Sequence, residues 1–183
     1  LSGLISGWAG EGTEPYFNFL RARIAEFDMV PIKSASLRNT ALPTIPDNTW
    51  TAINWDSQTF NHGLLVYSSA SGQSSNILFQ NSYSAGNGFD VFVAGQIGFD
   101  PNSSGRRSIS IDDLPAGGRI VVAQVPAAAG GANTVVPFAS PVTCFASTGL
   151  QGLTVEVNQN SGGDLALLNN VEILIMLLQK RST

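Results

Sequence analysis

The chain has few of the residues from which catalytic and metal sites are usually built. Its 183 residues include one cysteine and one histidine. A lone cysteine excludes an intramolecular disulfide, and Cys144, inside the apolar run VTCFA, is predicted to be a buried thiol. Because His62 stands between Asn61 and Gly63 with no second histidine, we expect a turn residue and neither a catalytic triad nor a zinc site.

Charged residues are also scarce, at 12% of the chain, with nine basic and thirteen acidic side chains. The net charge of -4 offers no basic surface of the kind that binds nucleic acid. The longest apolar run, 171–178, is interrupted by Glu172 and is too short to span a bilayer. With 43% hydrophobic residues, the chain can still bury the core of one domain.

Carboxylates are the remaining candidates for chemistry. Asp112 and Asp113 precede Leu-Pro, which predicts a turn; a calcium site there is the weaker alternative, since the regular acidic spacing of a calcium loop is missing. Glu156 and Glu172 could supply the carboxylate pair of a glycosidase, but each alternates with apolar residues and is expected to face solvent from a strand. No nucleophile elbow, phosphate loop or dinucleotide fingerprint occurs. These patterns predict a protein that is not an enzyme and has no cofactor.

Strand and turn signals dominate the chain beyond residue 48. The whole chain has nineteen glycines and nine prolines, and this part has turns such as DPNSSG, AAAGGAN and NSGGD. Between the turns lie short alternating runs, which predict strands. In FDVFVAGQIGF one face is predicted to carry Phe89, Val91, Val93, Gly95, Ile97 and Phe99. The pattern predicts an all-β protein with a β-sandwich or jelly roll.

One of these turns, in NQNSGGDLALL (158–168), is unusually rich in amides. Gly162 and Gly163 are expected to permit a tight reversal, which Asp164 would hold. Asn158 and Asn160 alternate with Val157 and Gln159, so they are expected to continue the preceding strand. Three leucines are then expected to re-enter the core: Leu165, Leu167 and Leu168.

Residues 1–32 differ in composition from the rest of the chain. Residues 1–32 are expected to form an arm with a short amphipathic helix, whose apolar stripe is Phe17, Leu20, Ile24 and Phe27. The stripe either docks on its own domain or packs against sister subunits or a larger assembly. Residues 33–47, with Pro43 and Pro46, are expected to be an extended linker to a domain at 48–183.

Four stretches in this order resemble the C1q/TNF-like jelly-roll domain, in the versions found in phage and bacterial proteins. They are Trp50 to Asp56, Phe89 to Phe99, the double-arginine strand Arg106 to Ile111, and Val155 to Leu165. The run HGLLVYSSASGQSSNI stands where the family often has an aspartate-rich loop, so the resemblance does not imply ligand or metal contacts on that loop.

The resemblance implies a jelly roll that assembles as a homotrimer around an apolar seam, with exposed loops that bind proteins or glycans. No collagen-like stalk occurs, which disfavours the complement branch. The implied function is that of a phage virion structural protein: a tail-fibre, spike or head-decoration subunit. The arm would bind other virion proteins, and the jelly roll would meet a host surface or reinforce the shell. A secreted, lectin-like recognition module is the alternative.

Overall fold

The computed structural model is a β-sandwich that begins at Lys33. It describes residues 33–41, 43–65, 75–79, 88–114, 118–144, 152–168 and 171–180. The predicted helix with Phe17, Leu20, Ile24 and Phe27 lies outside these residues. The described strands are β1 (Ser34–Asn39), β2 (Thr44–Ile45), β3 (Thr51–Ala52), β4 (Ser57–Asn61), β5 (Asn76–Leu78), β6 (Phe89–Phe99), β7 (Arg106–Leu114), β8 (Gly118–Pro126), β9 (Thr134–Cys144), β10 (Gly152–Gln159), β11 (Leu165–Ala166) and β12 (Val171–Lys180). None of the described residues forms a helix long and apolar enough to cross a membrane.

Two antiparallel sheets form the layers of the sandwich. Sheet 1 has the strand order β4-β1-β12-β6-β9. Sheet 2 has the order β3-β10-β7-β8, and β5 pairs with β10 beside β3. A two-stranded sheet of β11 and β2 is the third. Since β6 and β9 lie in sheet 1 while β7 and β8 lie in sheet 2, the chain passes from one layer to the other, as in a jelly roll.

The core fills the space between the two sheets. The predicted alternation along β6 is confirmed, because Phe89, Val91, Val93, Ile97 and Phe99 are all fully buried. The inward residues of β7 and β10 meet them from sheet 2 and include Ile109, Ile111, Val155 and Val157. Cys144 is buried, as predicted. Strand alternation therefore decides which side chains leave water, and the core is continuous through the sandwich.

Strand register defines two ends of the sandwich. At the far end β6 connects to β7 through 100–105, β8 to β9 through 127–133, and β10 to β11 through 160–164. At the near end lie Lys33, where β1 starts, and the C-terminal part of β12, because Ser34 pairs with Met176.

The segment 33–47, expected to be a linker, contributes two strands to this unit. Its first part is β1, which lies between β4 and β12 in sheet 1. Its second part is β2, which pairs with β11 at Leu165 and Ala166. Asp56, from the first stretch of the family resemblance, accepts hydrogen bonds from the backbone N–H groups of Thr40 and Ala41 at 2.9–3.0 Å and so holds the turn after β1. The segment is extended, and its hydrogen bonds belong to the sandwich.

Candidate functional site

The outward face of sheet 1 is apolar along its two central strands. Because side chains alternate across a strand, β6 and β12 bury one set of residues and turn the other set outward. On β12 the outward set includes Leu174 and Met176. Their pairing partners on β6 are Ala94 and Phe92. All four are only partly buried in the single chain, so a face of this composition is the first candidate for contact with another molecule.

The apolar face continues onto β9, the edge strand of sheet 1. Its outward residues are all exposed: Val135, Pro137, Ala139 and Pro141. Ala139 pairs with Ala94, so the apolar surface is continuous from β12 through β6 to β9. Half of the surface of Val135 remains accessible, as does 54% of Leu178 at the near end. Large aliphatic side chains exposed together mark an interaction surface more often than an ordinary solvated face.

A cleft of about 520 Å³ lies in this face. Its lining includes Phe60, Leu174, Ala94 and Gly95. The strands β6 and β12 approach closely here, because a Cβ added to Gly95 would lie 2.6 Å from the backbone oxygen of Glu172. Glycine at this position therefore preserves the pairing of the two strands.

One polar row crosses the apolar face. The register aligns Arg38 on β1, Glu172 on β12 and Gln96 on β6. Arg38 Nη2 donates to Glu172 Oε2 at 3.0 Å, and the hydroxyl of Ser36 donates to Oε1 at 2.6 Å. These hydrogen bonds, that of Ser36 first, lower the pKa of the Glu172 carboxyl group. The carboxylate is thus held ionised inside a largely apolar cleft.

Exposed aliphatic residues also mark the edge formed by β8, the last strand of sheet 2. Ile120 and Val121 are 51% and 53% exposed. The neighbouring edge strand β9 carries Pro137 and Pro141, which have no N–H to donate to an added strand. Between Ile109 and Ser110 the pairing of β7 with β8 shifts register, which places aliphatic residues on both sides of this edge. We call the exposed residues Ile120 and Val121 the β8–β9 edge.

The outward face of sheet 2 is polar, in contrast to that of sheet 1. Arg119 on β8 reaches across the sheet and donates from Nε to Glu156 Oε2 at 2.9 Å. Its guanidinium group lies over the ring of Trp50, 4.7 Å from the centroid, and 3.6 Å from Asp112 Oδ1. This cluster covers the face with charged and hydrogen-bonded groups, so the two outer faces of the sandwich differ in chemistry.

At the far end the amide-rich turn is fixed by a buried side chain. Gln159 is fully buried at the end of β10. Its amide donates to the carbonyls of Ile45 at 3.1 Å and Gly163 at 2.8 Å, and its oxygen accepts from the backbone of Ser161 at 2.8 Å. The prediction that Asp164 holds the turn is wrong, because Asp47 accepts from the backbone N–H of Gly162 at 2.9 Å.

The leucines after this turn behave differently from one another. Leu165 and Leu167 are buried, as predicted. The prediction that Leu168 re-enters the core is wrong. Its side chain lies against Gly98, where an added Cβ would be 2.7 Å from Leu168 Cδ1. Since Gly98 has its Cβ direction on the outward side of β6, Leu168 extends the apolar outer face of sheet 1.

The loop 100–105 is tied to the same end by Arg107. This side chain is fully buried, and burial lowers the pKa of its guanidinium group. It donates to the carbonyls of Ser104 at 3.0 Å and Asn102 at 3.4 Å, and it lies 5.8 Å from the ring centroid of Phe99. The second arginine of the double-arginine motif is therefore a structural residue that closes the far end.

The prediction of a turn at Asp112 and Asp113 is wrong. Both residues belong to β7, where they pair with Arg119 and Gly118 of β8. Pairing and the cation from Arg119 outweigh the turn preference of aspartate, because the strand places Asp112 opposite an arginine. The strand β7 continues to Leu114.

The other predicted polar residues lie where the strand pattern placed them. Glu156 and Glu172 stand on opposite outer faces of the sandwich, so they do not form a pair across a cleft. His62 follows β4, is exposed, and stacks on Phe60 with 5.0 Å between ring centroids. Among the described residues no group of three His, Cys, Asp or Glu side chains is arranged to hold a metal ion.

Sequence reasoning missed the apolar outer face of sheet 1. A signal for it was present, because residues 173–178 are apolar at every position, whereas a strand with one solvated face alternates. A strand buried on both faces has such a pattern. The unbroken run thus predicts a second surface that leaves water.

No family model and no curated protein matches the chain. Solved structures do match it. Murine APRIL at pH 5.0 aligns with 81% of this chain and all of its own, at 11% identity and a TM-score of 0.56. The PRD1 vertex protein P5 aligns with 79% of this chain and 95% of its own, at 18% identity and a TM-score of 0.50. At these identities the likeness concerns the fold, and the chain has the TNF-like jelly-roll fold that the four sequence stretches predict.

Proposed function

We propose that the chain is a structural subunit of a virion and that it assembles as a homotrimer. The observation that carries the trimer is the contrast between the two outer faces. Sheet 2 presents hydrogen-bonded charged groups to water, whereas sheet 1 presents Phe92, Leu174, Met176 and the outer residues of β9. Burial of apolar surface contributes about 25 cal/mol per Å², so enclosing this face is strongly favourable.

A head-to-tail contact between copies of the chain fits this face better than a symmetric two-fold contact does. The molecule carries an apolar face with a cleft and, separately, an exposed aliphatic edge at Ile120 and Val121. A contact between two different patches is heterologous, and such contacts form a ring when the rotation from copy to copy closes. A ring in which the β8–β9 edge of one copy packs on sheet 1 of the next buries both exposed surfaces.

The virion role rests on other grounds. One protein of similar fold is a vertex protein by its name, the PRD1 vertex protein P5. The chain also has residues 1–32 of different composition, whose proposed role is to bind other virion proteins. The exposed loops of the jelly roll would bind a host protein or glycan.

The trimer is tested by Leu174→Asp, which places a charge in the apolar face. We expect this variant to remain folded and to be monomeric, because a carboxylate cannot be buried there without a partner. Asn158→Asp is the matched control, since Asn158 lies on a strand of sheet 2 and its conversion adds the same charge to the polar face. Native mass measurement and circular dichroism give the two readouts. A folded, fully trimeric Leu174→Asp protein would contradict the proposed interface.

The virion role is tested by deleting residues 1–32. We expect the truncated chain to remain trimeric in solution and to be lost from purified particles. Incorporation equal to that of the full chain would exclude anchoring by these residues.

The alternative is a secreted, lectin-like recognition module. A glycan array probed with the full-length protein distinguishes the two: selective glycan binding without particle incorporation supports the module. No catalytic role is proposed, since Glu156 and Glu172 are separated by the sandwich.

A further inference from the structure

We infer that the polar row Arg38, Glu172 and Gln96 fixes the axial register of the subunits and makes the interface selective for like copies. The inference rests on the proposed trimer and concerns the same face. It starts from an observation that the trimer alone does not explain: an apolar interface has no need of an ion pair in its cleft.

The row lies within the apolar face and not at its rim. On the near-end side the register places Leu174, Ala94 and Ala139, followed by Met176 and Phe92. On the far-end side Val135 pairs with Gly98, and Leu168 covers that glycine. A partner that packs on both apolar sides must also cover the polar row between them. Glu172 and Arg38 then become enclosed, although their side chains are 38% and 44% exposed in the single chain.

Enclosure changes what these groups contribute. A charged pair taken out of water gains little net stability, but it strongly penalises any arrangement that leaves one member unpaired. The Glu172 carboxylate is already held by Ser36, Arg38 and Thr59, with the Thr59 hydroxyl at 3.4 Å. Two carboxylate oxygens offer about four acceptor positions, so one remains for a donor from the neighbouring copy.

Gln96 provides the matching group. It pairs with Glu172 across the strands, is exposed, and among the described residues its amide has no hydrogen-bond partner. An amide that both donates and accepts is satisfied at an interface only when the facing copy presents polar groups at the same level along the trimer axis. The same surface shifted by one row would bring the aliphatic residues Ile120 and Val121 of the facing copy onto this amide and the carboxylate and leave both unsatisfied. A single polar position that specifies register in an otherwise apolar interface acts in the same way in coiled coils.

The test uses a spin label at the far end. Ser103→Cys introduces an exposed thiol, and the native Cys144 is fully buried and does not compete for the label. We expect the labelled wild-type trimer to give one narrow distribution of label-to-label distances. In the double variant Arg38→Leu/Glu172→Leu the face is wholly apolar, so we expect a trimer of unchanged mass whose distance distribution is broad or has several maxima. A narrow, unchanged distribution in the double variant would overturn the inference.

Single variants add a second readout. Glu172→Leu leaves Arg38 enclosed without its acceptor, and we expect subunit exchange to become about a hundredfold faster. Glu172→Gln keeps the size of the side chain and one acceptor, and we expect its subunit exchange to be about tenfold faster than that of the wild type. Exchange rates equal to that of the wild type in both would also overturn the inference. A wild-type chain that is monomeric contradicts the proposed function itself, so the two failures are distinguishable.

Discussion

Gly105 and Gly130 form a matched pair that tests how tightly the far end is built. Both have positive φ, +76° and +71°, so alanine costs about 1–2 kcal/mol of backbone strain at either position. They differ in surroundings. A Cβ at Gly130 meets nothing within 4 Å, whereas a Cβ at Gly105 lies 2.6 Å from the carbonyl carbon of Asn160 and 2.6 Å from its Oδ1.

The clash at Gly105 has a definite consequence. Asn160 must move, and it then loses the hydrogen bond from the backbone N–H of Arg106 to its Oδ1 at 2.6 Å and the one from its own N–H to the Arg106 carbonyl at 3.3 Å. Each such bond contributes about 1 kcal/mol. We therefore expect Gly105→Ala to lower the free energy of unfolding by about 3–4 kcal/mol and Gly130→Ala by about 1–2 kcal/mol.

Urea unfolding measures the free energy of unfolding of both variants. The protein concentration is kept the same, because dissociation of an oligomer makes the midpoint concentration-dependent. The difference between the two variants isolates the contact with Asn160, because the strain term is common to both. Equal destabilisation would refute the packing of loop 100–105 against residue 160.

Three further outcomes are expected. Gln159→Leu should lower the free energy of unfolding in urea by about 2–4 kcal/mol, because the buried Ile45 carbonyl loses its donor. The control Gln124→Leu removes an exposed side chain with one hydrogen bond to Ser108 at 2.9 Å, and it should lower this free energy by less than about 1 kcal/mol. Equal losses in the two variants would contradict the role of Gln159. Arg119→Ala should lower the free energy of unfolding by about 1 kcal/mol through loss of the contacts with Trp50 and Glu156. The control Arg106→Ala, at an exposed arginine, should lower it by less than about 0.5 kcal/mol in the same assay. The reverse order would contradict the cluster on sheet 2. Because the pKa of Glu172 is lowered in the folded protein, its contribution to stability is complete above the ordinary value of 4.5 and is lost as pH falls through the lowered value. The urea midpoint of the wild type should therefore fall more with acid than that of Glu172→Gln. An equal fall in the two proteins would contradict this assignment.

Sequence patterns predict the fold well where a property belongs to one strand. Alternation in 89–99 identifies the inward residues of β6, and the order of the four family stretches identifies the jelly roll. The turn predicted at Asp112 fails because strand pairing with Arg119 is a contact between neighbouring strands, which local turn preference does not include.

Other features depend on contacts far apart in sequence. Gln159 is buried because Ile45, which is 114 residues away, supplies a carbonyl for its amide. The ion pair of Arg38 and Glu172 joins residues 134 apart. No window of sequence contains both members of either pair, so neither the burial of Gln159 nor the polar row could be predicted. The apolar outer face was predictable in principle, since 173–178 lacks the alternation of a strand with one solvated face.

The central claim is that the outer face of sheet 1 is covered by another copy of the chain. The mass of the full-length protein in solution, measured by sedimentation equilibrium across micromolar concentrations, tests it most directly. The account predicts a single species of three times the chain mass of 19.2 kDa. A protein that sediments as a monomer throughout this range would contradict it.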